Sequence, residues 1–179
     1  MKDNFKEVVN LIEDALKGDE NACQKILNLY KGRIFSYVYR IVRNYHDAED
    51  ITFDTFIRCF KALKSFDPTR SFSTWLFSIA HNVVIDFLRK NKQEYEYLDE
   101  RHSIKDDFVQ EYEKKKKLEK IEKALAKLPP IDREIVVLFH KEENSYQEIS
   151  EILNIPVSTI KTRLHRARKK LRELVHENG

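Results

Sequence analysis

Glycine, proline and cysteine are all scarce in this chain. Of 179 residues, three are Gly, four are Pro and two are Cys. So little glycine and proline excludes collagen-like and low-complexity chains, and it suits a soluble, mostly helical protein. Cys23 and Cys59 both fall in helical apolar patterns, so two buried reduced thiols in a cytoplasmic protein are expected. No cysteine or histidine spacing fits a zinc site, and neither a metal nor another cofactor is expected. Long apolar runs are missing too. The longest, Ile135 to Phe139, falls far short of the roughly 20 residues that a membrane helix needs, so no direct membrane insertion is expected. The first residues, Met1 to Glu7, lack the apolar core of a signal peptide.

Charge is abundant, and its distribution matters more than the net value of +3. Residues 1–92 form a mixed, helix-patterned block. Between Glu94 and Glu113, eight acids face only Arg101 and Lys105. Lys114 to Lys117 follow, and then a second helical block. The pattern predicts an all-α protein: two small helical domains, 1–92 and 118–179, joined by an acidic linker over 93–117.

The most specific local signal lies near the C-terminus. Ser145 and Glu148 form a capping box, which predicts a helix from Tyr146 with Ile149, Ile152 and Leu153 on one face. Asn154 and Pro156 break that pattern. A second helix is expected from Val157 to Leu174, with Ile160, Leu164, Ala167 and Leu171 as its apolar stripe. Its other faces carry Lys161, Arg163, Arg166, Arg168, Lys169, Lys170 and Arg172, with Ser158, Thr159, Thr162 and His165 nearby and no acid before Glu173. Two short helices around a tight turn, the second strongly basic, predict a helix-turn-helix that enters the DNA major groove. The competing reading is a solvated amphipathic helix at a chain end.

The N-terminal block predicts four helices. Residues 4–17 form an amphipathic helix closed by Gly18, and Asp19 is placed to cap a second, with Cys23, Ile26, Leu27, Tyr30, Ile34, Tyr37, Val38 and Ile41 as its stripe. Gly32 falls off that stripe. Asp47 is placed to cap a third helix reaching about Ser65, with Ala48, Ile51, Thr55, Cys59, Phe60 and Leu63 inward. Its first turns are crowded with acids. Asp47, Asp50 and Asp54 share a face at i, i+3 and i+7, while Phe53 and Ile57 project off the core stripe. Acids complement a helix N-terminus, but acids beside exposed apolar residues also describe a protein-docking surface. A Mg²⁺-dependent nuclease is the alternative from another class. Phe66 to Ser73 reads as a loop, with Ser73 capping a fourth helix to about Asn91 and Phe72 and Phe77 as a hydrophobic staple. Asn82, Asp86 and Arg89 form a polar stripe that ends in Arg89, Lys90 and Lys92. Such a stripe beside an aromatic-flanked loop suits a single nucleic-acid strand, or simply an amphipathic helix with Trp75 in its core.

Four motifs in order carry a family resemblance: H-D-A-E-D-I-T-F-D-T-F with F-K-A-L-K-S-F, then F-S-T-W-L-F-S-I-A-H-N-V-V-I-D-F-L-R, A-L-A-K-L-P-P-I-D-R-E-I-V-V-L, and the helix-turn-helix. From about Asn21 to Leu174 the chain resembles the extracytoplasmic-function (ECF) sigma factors of bacterial RNA polymerase. The resemblance implies a cytoplasmic, non-enzymatic factor without catalytic residues. Its partners would be promoter DNA, the polymerase core (clamp helices of the largest subunit, flap of the second largest) and, in many such factors, an anti-sigma factor. It also implies roles for particular residues. Asp47, Asp50, Phe53, Asp54 and Ile57 would meet the clamp helices. Phe66, Arg70, Ser71, Asn82, Asp86, Arg89 and Lys90 would hold the minus-ten element. Tyr146, Ser158, Thr159, Lys161, Thr162, Arg163, His165, Arg166, Arg168 and Lys169 would contact the minus-thirty-five element. The acidic segment would thread the polymerase's basic channels or act as a spacer. Phe53, His81 and the pair Phe139–His140 depart from the family's usual residues. The alternative to this reading is a free-standing helix-turn-helix regulator that needs no polymerase.

Overall fold

The computed structural model describes residues 5–91 and 120–176. The acidic segment, the lysine run and Lys92 lie outside the described residues. All secondary structure among the described residues is helical, and the chain divides into two compact units.

In the first unit, α1 (Phe5–Leu16) ends as expected at Gly18, whose φ of 92° is a left-handed conformation that a side chain would strain. α2 (Glu20–Val42) is capped by Asp19, whose carboxylate accepts from the backbone N–H of Asn21 at 2.8 Å. Ile26, Tyr30, Ile34, Tyr37 and Val38 are fully buried along its length, and Gly32 sits in open space. Cys23, expected to be buried, is only half-buried. Ala22 takes the inward place instead.

α3 (Tyr45–Ala62) starts earlier than expected, because Asn44 and not Asp47 is its cap. Asn44 has extended backbone, and its side-chain oxygen accepts from the Asp47 N–H at 3.2 Å. Asp47 is left in the first turn, where its charge complements the helix dipole. Thr52 and Thr55 are buried, and each hydroxyl donates to the carbonyl four residues back, at 2.6 and 2.7 Å. Phe56 takes the core place expected for Phe60, which is half-buried. A 3₁₀ turn, Leu63–Ser65, closes the helix.

α4 (Phe72–Lys90) also begins early. Ser71 is the capping residue: its Oγ accepts from Thr74 N–H at 3.2 Å and its carbonyl from Trp75 N–H at 3.1 Å. Ser73 lies inside the helix, where its hydroxyl accepts from Arg33 at 3.2 Å. Phe72 is therefore the first helical residue, and the expected staple with Phe77 does not apply. The two rings pack instead on α2, Phe72 edge-on to Tyr30 at 5.3 Å and Phe77 edge-on to Tyr37 at 5.2 Å.

The second unit opens with a helical segment over 120–126 and continues into α5 (Pro130–His140), which starts on Pro130, where a missing N–H costs nothing. Arg133 is almost wholly buried. Its guanidinium donates to the carbonyls of Leu125, Ala126 and Leu128 at 3.0, 2.6 and 3.0 Å where the preceding helix ends; Leu125 also accepts from the Leu128 N–H at 3.1 Å. α6 (Tyr146–Leu153) carries the expected capping box in reciprocal form. Ser145 N–H donates to the Glu148 carboxylate at 2.7 Å, and Glu148 N–H donates to Ser145 Oγ at 3.2 Å. The turn passes through Asn154 in the left-handed region (φ 53°) into α7 (Val157–His176). Ile160, Leu164 and Ala167 are buried as expected; Leu171 is half-buried, and Leu174 is the last buried residue of the stripe.

Replacing Arg133 with Met would take this donor from the Ala126 and Leu128 carbonyls and leave Leu125 with only the Leu128 N–H, while keeping the side-chain volume. The variant should lose roughly 3 kcal/mol in the second unit, read by urea unfolding with hydrogen exchange on α5 to α7. Unchanged protection there would contradict the capping role.

Candidate nucleic-acid interface

The rotation of α7 about its axis decides which side chains can reach a ligand. Burying a side chain such as Ile160 or Leu164 stabilises by about 1.5–3 kcal/mol, whereas an exposed ion pair contributes about 0–1 kcal/mol. The apolar stripe therefore sets the orientation. Opposite the stripe, Ser158, Lys161, Thr162, His165, Arg166 and Lys169 are all exposed. They recur at helical spacing and make one continuous polar face without an acid. Thr162 Oγ1 donates to the Ser158 carbonyl at 3.0 Å, which leaves its lone pairs as acceptors.

Not every cation expected on this face lies there. Arg163 turns toward α5, where its guanidinium meets the largely buried Asp132 carboxylate at 2.7 Å, so it braces the unit. Thr159 is half-buried. Arg168 is half-buried as well, with its guanidinium 4.8 Å over the Phe139 ring and its Nε donating to His140 Nε2 at 3.1 Å. Phe139 in turn stacks on Tyr146 at 5.1 Å, and the Lys161 ammonium lies 5.6 Å over the Tyr146 ring. In the sequence Phe139 closes an apolar run and, with His140, departs from a family pattern, but the contact of the pair with α7 has no periodic signal that would announce it.

In the first unit, α3 presents a mixed surface. Asp50 is exposed and Asp47 and Asp54 are half-exposed. Beside them Phe53 is 70% exposed and Ile57 36%, so two apolar side chains stand in water next to three acids. Arg58 bridges this face to α4, pairing with Asp54 at 2.9 Å and with Asp86 at 3.2 Å. Asp86 is thus engaged by a cation, a contact the polar-stripe reading missed because its partner lies 28 residues away. Among the described residues, no group of three or more His, Cys, Asp or Glu side chains is placed to hold a metal ion.

The loop before α4 is ordered by its own side chains. The Asp67 carboxylate accepts from the Thr69 hydroxyl at 2.7 Å and from its N–H at 2.9 Å. These hydrogen bonds, together with the nearby Arg70 charge, hold the carboxyl below the usual carboxylate range. Arg70 is exposed, whereas Ser71 is occupied as the helix cap. Phe66 is buried, edge-on to Phe72 at 5.3 Å and 5.2 Å from Trp75, so it supports the loop from beneath. Along α4, Asn82, Arg89 and Lys90 are exposed on the helix surface. Deeper in the unit, burial and the neighbouring Cys23 push the Cys59 thiol up to about 12, so it stays protonated.

Comparison with known proteins places both units. Residues 26–94 match the sigma-70 region 2 family and residues 118–171 the sigma-70 region 4 family. The chain is 41% identical over 179 residues to the ECF RNA polymerase sigma factor SigW of Bacillus subtilis, covering 93% of this chain and 95% of that protein. It is 30% identical over 152 residues to the ECF RNA polymerase sigma factor SigM of the same organism, covering 84% and 93%. Among solved structures it is similar to the sigma factor RpoE of Bartonella quintana, in complex there with the anti-sigma factor NepR. That likeness has a TM-score of 0.71 at 25% identity and covers 86% of this chain and 96% of that one.

The contact between Arg168 and His140 has a measurable consequence. Partial desolvation of the imidazole on this otherwise exposed residue, and then the Arg168 charge, lower the His140 pKa below its usual value of about 6.5. A histidine with a folded pKa below its unfolded one binds fewer protons when folded. Its contribution to stability is therefore intact above the unfolded value, falls as pH drops through that value, and levels off below the folded one. An NMR titration should give a His140 midpoint below that of a histidine in an unstructured peptide; a midpoint at or above it would contradict the contact.

Proposed function

This chain belongs to the ECF sigma factors of RNA polymerase, and we propose that its exposed surfaces divide the work of initiation among themselves. It binds the polymerase core and recognises promoters; the alternative of a free-standing regulator is not favoured by a chain that matches region 2 as well as region 4. Residues 1–92 act as the core-docking and strand-capturing domain, 118–179 as the duplex-reading domain, and 93–117 as the acidic connection between them. The protein works in the cytoplasm and catalyses no reaction itself.

The observation that carries this reading is the acid-free face of α7. Lys161, Thr162, His165 and Arg166 read base edges of the minus-thirty-five element in the major groove, Arg166 by the bidentate pairing with guanine, which contributes about 1–3 kcal/mol of discrimination. Ser158, Lys169, Arg168 and the start of α6 at Tyr146 fix the register by contacting phosphates. On α3, Asp47, Asp50 and Asp54 meet basic groups of the clamp helices, and Phe53 and Ile57 add an apolar contact there. Arg70, Asn82, Arg89 and Lys90 hold the displaced strand of the minus-ten element and trap an unstacked base, which offsets an unstacking cost of about a few kcal/mol. An anti-sigma factor that covers one of these surfaces, as NepR partners the similar Bartonella factor, is the expected form of control.

The test is transcription in vitro with bacterial core polymerase over a promoter library. Arg166→Ala should lower initiation on the order of tenfold and relax preference at one upstream base pair, with core binding unchanged. Retained preference would exclude Arg166 as a reader. Asn82→Ala should bind core normally yet lose permanganate reactivity across the downstream element, whereas full reactivity would remove Asn82 from strand capture.

A further inference from the structure

Two of the cations on α7, the exposed Lys161 and the half-buried Arg168, lie over aromatic rings. Lys161 and Arg168 are seven residues apart, two helical turns, and so project from the same side of the helix about 10.5 Å apart along its axis. Both lie on rings supplied by other helices. Arg168 covers Phe139, the penultimate residue of α5, at 4.8 Å, and Lys161 covers Tyr146, the first residue of α6, at 5.6 Å. The two rings are stacked on each other, 5.1 Å apart with 28° between their planes. Under both cations there is therefore one continuous aromatic surface, built where α5 ends and α6 begins.

His140 completes the arrangement. Its Nε2 accepts from Arg168 Nε at 3.1 Å, so the imidazole is neutral with its proton on Nδ1. The guanidinium is fixed by its face on Phe139 and by its Nε on His140. The donors these contacts leave for a ligand are the two terminal nitrogens, the fork that suits phosphate oxygens. An arginine normally loses much rotamer freedom when it grips a phosphate. A guanidinium already held on a ring and an imidazole has lost that freedom before the ligand arrives.

We infer that Phe139, backed by the Tyr146 ring, and His140 are positioning residues: they hold Arg168 in place to receive the DNA backbone beside the groove that α7 enters. The inference rests on the reading of α7 as the duplex-reading helix and adds residues that touch no DNA themselves. Their effect is on affinity and register, not on which bases are preferred, because phosphate contacts carry no sequence information.

The experiment uses holoenzyme, the full chain bound to core polymerase, and measures promoter binding against salt concentration for several upstream sequences. Arg168→Ala should weaken binding equally for all sequences and flatten the salt dependence by about one phosphate contact. Phe139→Leu keeps an apolar side chain but removes the ring, and should weaken binding by about two- to fivefold, the scale of an exposed cation–π contact, again independently of sequence. In the Phe139→Leu background, Arg168→Ala should cost correspondingly less than it does alone, and Phe139→Tyr should restore binding. His140→Ala, at an exposed position outside the core, should repeat this dependence on Arg168 and guards against a folding defect in the Phe139 variant. Equal costs of Arg168→Ala in every background would overturn the positioning role while leaving α7 as the reading helix. An Arg168→Ala variant that binds like the parent would overturn the positioning role and Arg168's phosphate contact together. A changed base preference in Phe139→Leu would also overturn it, by placing the ring's effect on the reading of bases.

Discussion

The constraint on which every functional surface here depends is the burial of one apolar stripe per helix. A helix whose stripe is buried has one rotation about its axis, and that rotation assigns each remaining side chain a direction. In α7, burial of Ile160, Leu164, Ala167 and Leu174 sends Lys161, Thr162, His165, Arg166 and Lys169 outward together. In α3, burial of Ala48, Ile51, Thr55 and Cys59 leaves Asp50, Phe53 and Ile57 at the surface. Exposed charge pairs such as Arg58 with Asp54 are too weak to choose between rotations; they adjust side chains on a helix already placed.

A second layer of organisation lies in how backbone ends are satisfied. Asp19, Asn44, Ser71 and Ser145 each cap a helix, and Arg133 closes the carbonyl end before α5 with three hydrogen bonds. These contacts fix where each helix begins or ends, and so which residue stands at its mouth. Ser71 is the clearest case. Because it caps α4, the loop from Asp67 to Arg70 is short and internally bonded, and Phe66 is drawn under it against Phe72 and Trp75.

Much of this was legible in the amino-acid order, and the parts that were not share a physical reason. Periodicity and local caps are encoded within about four residues, so the helices, the reciprocal capping box at Ser145 and the outward face of α7 could all be read directly. The caps of α3 and α4 were misassigned because two candidate residues lie within three positions of each other in each case. Backbone conformation, which decides between Asn44 and Asp47 or between Ser71 and Ser73, is not written in residue type. Contacts across distance were invisible. Asp132 with Arg163, Arg58 with Asp86, and Phe139 with Arg168 join residues about 30 positions apart, and no spacing rule links them. Phe66 shows the same limit: the resemblance implies a contact with the minus-ten element, whereas packing against Phe72 and Trp75 buries its ring.

Dividing recognition between two units has a thermodynamic consequence. Each unit alone offers a modest surface, and the two reinforce each other only when something fixes the distance between them, so that the second contact becomes effectively intramolecular. The polymerase core is the body that does this for a sigma factor. Equilibrium binding of the full chain to a promoter fragment, measured with and without core enzyme at one salt concentration, tests that claim most directly. The account predicts weak occupancy by the chain alone and a gain of about 10²-fold or more when core is added. Equal occupancy in both conditions would contradict it.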